Sequence, residues 1–309
     1  MSKKKFNVIF RQDLNNVGDL ASQPLQYFLQ PDEYNVADIT DVYKSNLNWN
    51  LPTIVGGGGL IANQFFGEVL RDFTDCNDKS QLLNLANEYW QTSTTANTTV
   101  RDEFMRDLQK LIETYVDKLQ NAKSPRIIWG AGHNSDYQKK IKNYLEYPKW
   151  LQLYDLIGIR DYNQPYEWVP CASCMHPAFS RRYEIKHDVI WFEHKKQLLK
   201  NADFGAEPIP RFINSGNNVE QIIEILGSAN VILTNSYHGA YWGILLGKKV
   251  IVMEPWSSKF NAFRWTPGFV SKGSDWKLHI DEAERYPEAL EISRDVTKKY
   301  WSKVKEYMK

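Results

Sequence analysis

The chain has 309 residues, with 38 Lys and Arg against 37 Asp and Glu and a formal charge of +1. This length suffices for one large or two medium domains, and 42% hydrophobic with 24% charged residues is a globular composition, not a disordered one. The charge balance excludes a broad basic field for nucleic acid, and no apolar run approaches the roughly eighteen residues that a membrane span needs.

Eleven Trp, seventeen Tyr and fourteen Phe exceed what a small core needs. Such rings either fill cores and a domain interface or serve as platforms for sugars, whose axial C–H groups pack on a π face. Three cysteines cannot build a disulfide framework and suit a reducing compartment. Lys3, Lys4 and Lys5 precede only a short apolar stretch ending at Phe10, too short for a signal peptide. The expectation is a cytoplasmic protein that meets a membrane only peripherally, at its inner face.

In chain order, Phe6 to Phe10 reads as a strand, followed by Asn16-Val17-Gly18-Asp19 and a helix from about Leu20 to Leu29. Thr53 to Val55 reads as a buried strand running into Gly56-Gly57-Gly58-Gly59, with a helix over Leu60 to Phe73. Thr92 to Thr99 is polar and turn-like. Arg101 to Leu119 has helical apolar spacing. Arg126 to Trp129 is a strand ending at Gly130-Ala131-Gly132. A second series follows: strands at Leu153 to Ile159, Asp188 to Phe192, Asn230 to Leu233 and Lys249 to Met253, helices at Val219 to Leu226 and Tyr241 to Leu246, and an amphipathic helix from Ile292 to Tyr307. Strands alternating with helices imply parallel sheets covered on both faces. The fold expected is therefore α/β, with two Rossmann-like doubly wound domains, residues 1–148 and 149–309, and the last helix within reach of packing back on the N-terminal domain.

Loops at the carboxyl ends of parallel strands face the ligand crevice. Asn16, Gly18 and Asp19 lie in such a loop, where Asp19 either caps a helix or faces a ligand. Gly56, Gly57, Gly58 and Gly59 let the backbone approach a ligand and aim N–H groups at an anion, or make a tight turn under close packing. No Gly-Lys-Ser/Thr ending follows, so this is not a nucleotide P-loop. Gly130 to Asn134 repeats the strand-then-glycine design without a dinucleotide fingerprint, and His133 is either structural or functional. Arg160-Asp161 leaves a buried strand, where Arg160 suits a phosphate or carboxylate and the alternative is a structural ion pair. The densest segment is Thr234 to Gly243, which contains Ser236, Tyr237, His238 and Gly239 between a strand and a helix. An imidazole there suits acid–base work. Glu254 and Lys259 follow one strand later, Lys259 as a second positive charge or a solvated surface residue. Cys171-x-x-Cys174 and His176 invite a zinc reading, but no second Cys pair completes four ligands, so no metal is expected.

Taken in order, Asn16 to Asp19, Gly56 to Gly59, Gly130 to Gly132, Arg160-Asp161, Ser236 to Gly239 and Lys259 resemble the polysaccharide pyruvyl transferase family. The resemblance covers about Phe6 to Lys259. It implies two domains facing across a cleft as in glycosyltransferases of the B architecture, the N-terminal one on the acceptor side and the C-terminal one on the donor side. It also implies transfer of pyruvate from phosphoenolpyruvate, a co-substrate with no other cofactor, to two hydroxyls of one sugar of a surface polysaccharide or its precursor. The acceptor would be a free, lipid-linked or nucleotide-linked saccharide. Arg160 and Lys259, with Ser236 and Gly239, would hold the donor anion; His238 would be general acid and Asp19 would orient or deprotonate the sugar. Asn16, the four glycines, His133, Tyr237 and Glu254 would line the acceptor side or the cleft. Many members carry an arginine where this chain has Ser236, so Arg160, Arg264 or Lys259 would supply that contact. The Cys171 to His176 loop departs from the family's Asp-Pro pattern. The alternatives are a nucleotide-sugar glycosyltransferase, with Glu254 on a ribose, and a non-catalytic carbohydrate-binding relative.

Overall fold

The computed structural model describes residues 4–39, 42–61, 110, 123–134, 147, 151–152, 154–195, 197–198, 208–271 and 273–307. Strand β1 (Phe6–Phe10) is buried at all five positions, as a strand with both faces covered must be. It pairs in parallel with β2 (Tyr34–Asp38) on one side and β3 (Thr53–Gly56) on the other. Strands β4 (Arg126–Ala131), β5 (Leu156–Ile159) and β6 (Glu167–Trp168) extend the sheet beyond β3, again in parallel.

The second sheet is wound the same way. Strand β7 (His187–His194) is flanked by β8 (Arg211–Asn214) and β9 (Ala229–Thr234), and β10 (Lys249–Met253) and β11 (Gly268–Val270) follow, all parallel. Strand order therefore reverses between β1 and β3 in one sheet and between β7 and β9 in the other. At such a switch point the loops diverge to opposite faces and leave a crevice at the carboxyl ends.

The protein is thus α/β, with two parallel sheets of six and five strands flanked by helices. No helix among the described residues is long and apolar enough to cross a membrane.

Among the described residues the helices are α1 (Val17–Ala21), α2 (Val219–Gly227), α3 (Tyr237–Leu245) and α4 (Ala289–Glu306). Every residue of α3 is buried, so it is a core helix between layers, not an amphipathic surface one. Helix α4 returns to the first sheet. The Tyr300 hydroxyl donates to the Ile128 carbonyl at 2.5 Å, and Trp301 stacks on Phe28 and Trp129 at 5.2 and 5.9 Å. Burial of each such ring stabilises the fold by roughly 1.5–3 kcal/mol.

Several expectations need correction. The helix expected over Leu20 to Leu29 ends at Ala21, because Pro24 supplies no amide hydrogen and gives way to a 3-10 turn at Leu25–Tyr27. Helix α3 begins at Tyr237, four residues before the expected start, because Ser236 caps it. The strand expected to open the second series is β5, and it hydrogen-bonds to β4; with β6 it carries the first sheet through Trp168, beyond residue 148. The helices expected over Leu60 to Phe73 and Arg101 to Leu119 and the loop at Thr92 to Thr99 lie outside the described residues, but for Leu60, Ile61 and Lys110.

Candidate active site at the seam of the two sheets

The two switch points meet. After β1, Asp13 forms an ion pair with Lys195, the first residue after β7, at 2.6 Å. Asn16 caps α1 by accepting from the Gly18 amide at 3.2 Å. Its carboxamide oxygen also accepts from Asn214 at the end of β8, at 3.4 Å, while Asn214 donates to the Ser236 hydroxyl at 3.2 Å. One polar chain therefore runs from the first sheet's opening loop to the N-cap of α3.

His238, in the first turn of α3, lies where the halves touch. Its Nε2 is 3.3 Å from the Ser22 hydroxyl and 3.6 Å from the Cys171 thiol. Its Nδ1 faces Gly18 so closely that an added Cβ would sit 2.0 Å away. Glycine at 18 is required by this approach, not by backbone conformation. Gly57 differs: it is left-handed at φ 82°, and a side chain there would strike the Ser22 carbonyl. Burial first, then the Arg160 and Lys259 charges, hold the His238 imidazole well below its usual range. These effects favour the neutral imidazole over the cation.

Asp19 has the opposite disposition. Asn16 donates to its carboxylate at 2.8 Å. Burial, then the Asp13 charge, pushes its carboxyl up to about 6, against the pull of Arg11, Lys259 and Arg160. Two groups shifted in opposite directions in this way can divide acid and base work between them.

Arg160 leaves the end of β5 buried, only 4% exposed. Its stem passes over Gly132, where a Cβ would meet Nε at 2.2 Å, and its guanidinium carbon lies 3.8 Å over the Tyr237 ring. The Nε has no hydrogen-bond partner, and no side-chain ion pair or hydrogen bond engages Arg160 among the described residues. Asp161 does not pair with it. That carboxylate accepts from the His133 amide at 2.7 Å and the Tyr147 hydroxyl at 2.8 Å. A buried cation left unpaired is costly unless an anion completes it.

The other half answers with Lys259, also buried, whose ammonium lies 3.7 Å over the Trp256 ring. Its neighbours stitch the seam: Ser258 bonds His133 Nδ1 at 2.6 Å and Ser257 donates to Asn134 at 2.7 Å.

Some expected residues are committed elsewhere. The Gly57 amide donates to the Trp129 carbonyl at 2.9 Å, so the glycine run does not offer a full row of amides. Gly56 ends β3 against the Trp129 backbone, Gly58 lies beside the Asp19 carboxylate, and Gly59 packs on Asn134. The Gly239 amide is taken by the Ser236 hydroxyl at 3.4 Å, and Gly239 is glycine because Thr234 and Phe192 leave no room. Ser236 and Gly239 build the helix start. Glu254, the residue after β10, is in a left-handed conformation, φ 45°, and its side chain joins no hydrogen bond or ion pair among the described residues. Arg264 lies over the Trp168 ring, its guanidinium carbon 4.6 Å from the centroid.

Sequence reasoning missed Ser22 and Asn214. Ser22 had a signal, one helical turn after Gly18, and its hydroxyl donates to the Gly18 carbonyl at 2.6 Å. For Cys171 and Cys174 the sequence left zinc beside a buried or crevice-lining loop, and both are buried. Their thiols diverge: Cys171 faces His238, whereas Cys174 faces Thr297 at 3.4 Å and is pushed up to about 12 by burial.

No family model matches the chain, and no curated protein matches it. Among solved structures, an uncharacterized protein from Klebsiella pneumoniae subsp. pneumoniae NTUH-K2044 is similar over 81% of this chain and 83% of its own, at 14% identity and a TM-score of 0.39. A likeness at that level carries no argument about chemistry.

Proposed function

We propose that the protein is a pyruvyl transferase-like enzyme, moving the pyruvyl group of phosphoenolpyruvate onto two hydroxyls of one sugar as a cyclic ketal. The observation that carries this reading is Arg160: buried, laid over the first ring of α3, and without a partner for its Nε. Such a group is complete only with an anion, and a second buried cation, Lys259, acts on the same two titrating side chains, Asp19 and His238. A donor carrying both phosphate and carboxylate matches two separate cations. The two halves are read as the B arrangement of glycosyltransferases, with the acceptor, a saccharide precursor, met in the cytoplasm.

The chemistry assigns the residues. Protonation of the donor's methylene carbon makes a methyl group and leaves a cation at the adjacent carbon. A sugar hydroxyl attacks that carbon and gives up its proton. The bond to phosphate then breaks with its electron pair, and the second hydroxyl closes the ring and gives its proton to the departing phosphate, so one inorganic phosphate leaves per ketal formed. Asp19, its carboxyl raised to about 6, keeps its proton to a higher pH than an ordinary carboxyl and is assigned as the proton donor. Neutral His238 is then an acceptor or a positioning group, a reversal of the parts first expected. Arg160 and Lys259 hold the anion as charge moves onto phosphate.

The test is phosphate release from phosphoenolpyruvate with a panel of sugars, with mass spectrometry of the product. A gain of the pyruvyl ketal mass supports the reading; stabilisation and turnover with a nucleotide sugar instead would replace it with glycosyl transfer.

A further inference from the structure

The turn after β5 sits at the edge of this site and is built from residues that its chemistry does not use. Tyr162 is 39% exposed although its amide is pinned to the Ala262 carbonyl of the second half at 2.9 Å. Asn163 holds the turn in a left-handed conformation, φ 57°, which asparagine adopts more readily than most residues. The Tyr162 ring meets Trp168 edge-on at 5.7 Å, and Trp168 meets Trp265 edge-on at 5.7 Å. Arg264 lies among all three, its guanidinium carbon 5.2, 4.6 and 5.2 Å from the Tyr162, Trp168 and Trp265 rings.

This arginine differs from others in the chain. Arg181 is paired with Glu220 and Arg211 with Glu193, whereas Arg264 has no carboxylate and no hydrogen bond among the described residues. The nearby Glu288 carboxylate is taken by the Trp265 indole at 3.0 Å. Rings fix the plane of a guanidinium by its faces and leave its N–H edges open. An open fork suits a carboxylate bidentately, and an exposed tyrosine face suits the C–H side of a pyranose. The platform is tied to the donor cation, since the Trp168 indole donates to the Arg160 carbonyl at 3.1 Å.

We propose that Tyr162 and Arg264, braced by Trp168, form a binding subsite for an acidic sugar residue of a saccharide chain. The pyranose ring lies on Tyr162 and its carboxylate is held by Arg264. As an acceptor subsite this rests on the transferase reading above; as a binding site it stands alone.

The test is titration of the full chain with a tri-uronate and with the neutral trihexose of the same linkage, followed by indole fluorescence. The subsite predicts saturable binding of the tri-uronate, at least tenfold tighter than the neutral trimer and weakened by salt. Tyr162→Ala and Arg264→Gln each lose tenfold or more, and Tyr162→Phe, which keeps the ring face, binds as the parent does. Failure of the tri-uronate to saturate, equal binding of both trimers, or unchanged binding by Tyr162→Ala, whose exposed ring can be removed without unfolding, would overturn the assignment. Phosphoenolpyruvate binding by the unmodified chain is scored separately. If it fails while the tri-uronate binds, the transferase reading falls and the subsite stands; the converse removes the subsite alone.

Discussion

Gly18 and His238 are in direct contact across the seam, with room for no carbon atom between the Gly18 Cα and the imidazole: a Cβ on Gly18 would lie 2.0 Å from Nδ1. The contact joins the helix after the first strand of one sheet to the helix after the third strand of the other. Gly18→Ala must therefore displace the ring, breaking its contacts with Ser22 and Cys171. Overpacking of this kind costs about 1–3 kcal/mol. In urea unfolding, Gly18→Ala should lose that much, and most of it should return in the Gly18→Ala, His238→Ala double variant, because the clash is removed. Strictly additive losses would show that the two residues do not meet.

Asp19 predicts a pH dependence of stability. Its carboxyl rises from 3.8 to about 6 on folding, so between those values the folded state holds a proton that the unfolded state has released. Stability from this group is then full below pH 3.8, falls as pH rises through the window, and is lost above about 6. Asp19→Asn removes the penalty and should be more stable than the parent at pH 8 by about 1–2 kcal/mol, less than full burial would give because the side chain is partly exposed. At pH 3.5 the two proteins should melt together. Thermal melts across the range check it, and a destabilised Asp19→Asn at pH 8 would contradict it.

Arg160 predicts a split between stability and binding. Replacing a buried, unpaired cation with an apolar chain of similar length relieves desolvation. Arg160→Met should melt at or above the parent temperature when free of ligand, yet lose at least tenfold in affinity for phosphoenolpyruvate. Calorimetric titration and a melt of the same sample read both. A strong loss of ligand-free stability would mean that the guanidinium serves the fold instead.

Much of this was legible in the sequence for a physical reason: central parallel strands are continuous apolar runs. β1 and β10 have the expected bounds, and β4 and β9 begin within a residue of expectation. The edge strands carry no such signal. β8 is Arg-Phe-Ile-Asn with half its residues exposed, and β6 is two residues long. The site motifs were found because each follows one of the central strands. What each side chain does was less legible, since that depends on partners far away in the chain. Gly239 reads as an anion contact until its amide is seen to donate to the Ser236 hydroxyl, and His238 reads as an acid until burial, then Arg160 and Lys259, lower its pKa.

The central claim, that the seam holds an enol phosphate through Arg160, is tested most directly by the melting temperature of the unmodified chain with phosphoenolpyruvate beside UDP- and GDP-sugars. The account predicts saturable stabilisation by phosphoenolpyruvate, absent in Arg160→Met, and none from the nucleotide sugars. Stabilisation by a nucleotide sugar with no response to phosphoenolpyruvate would contradict it.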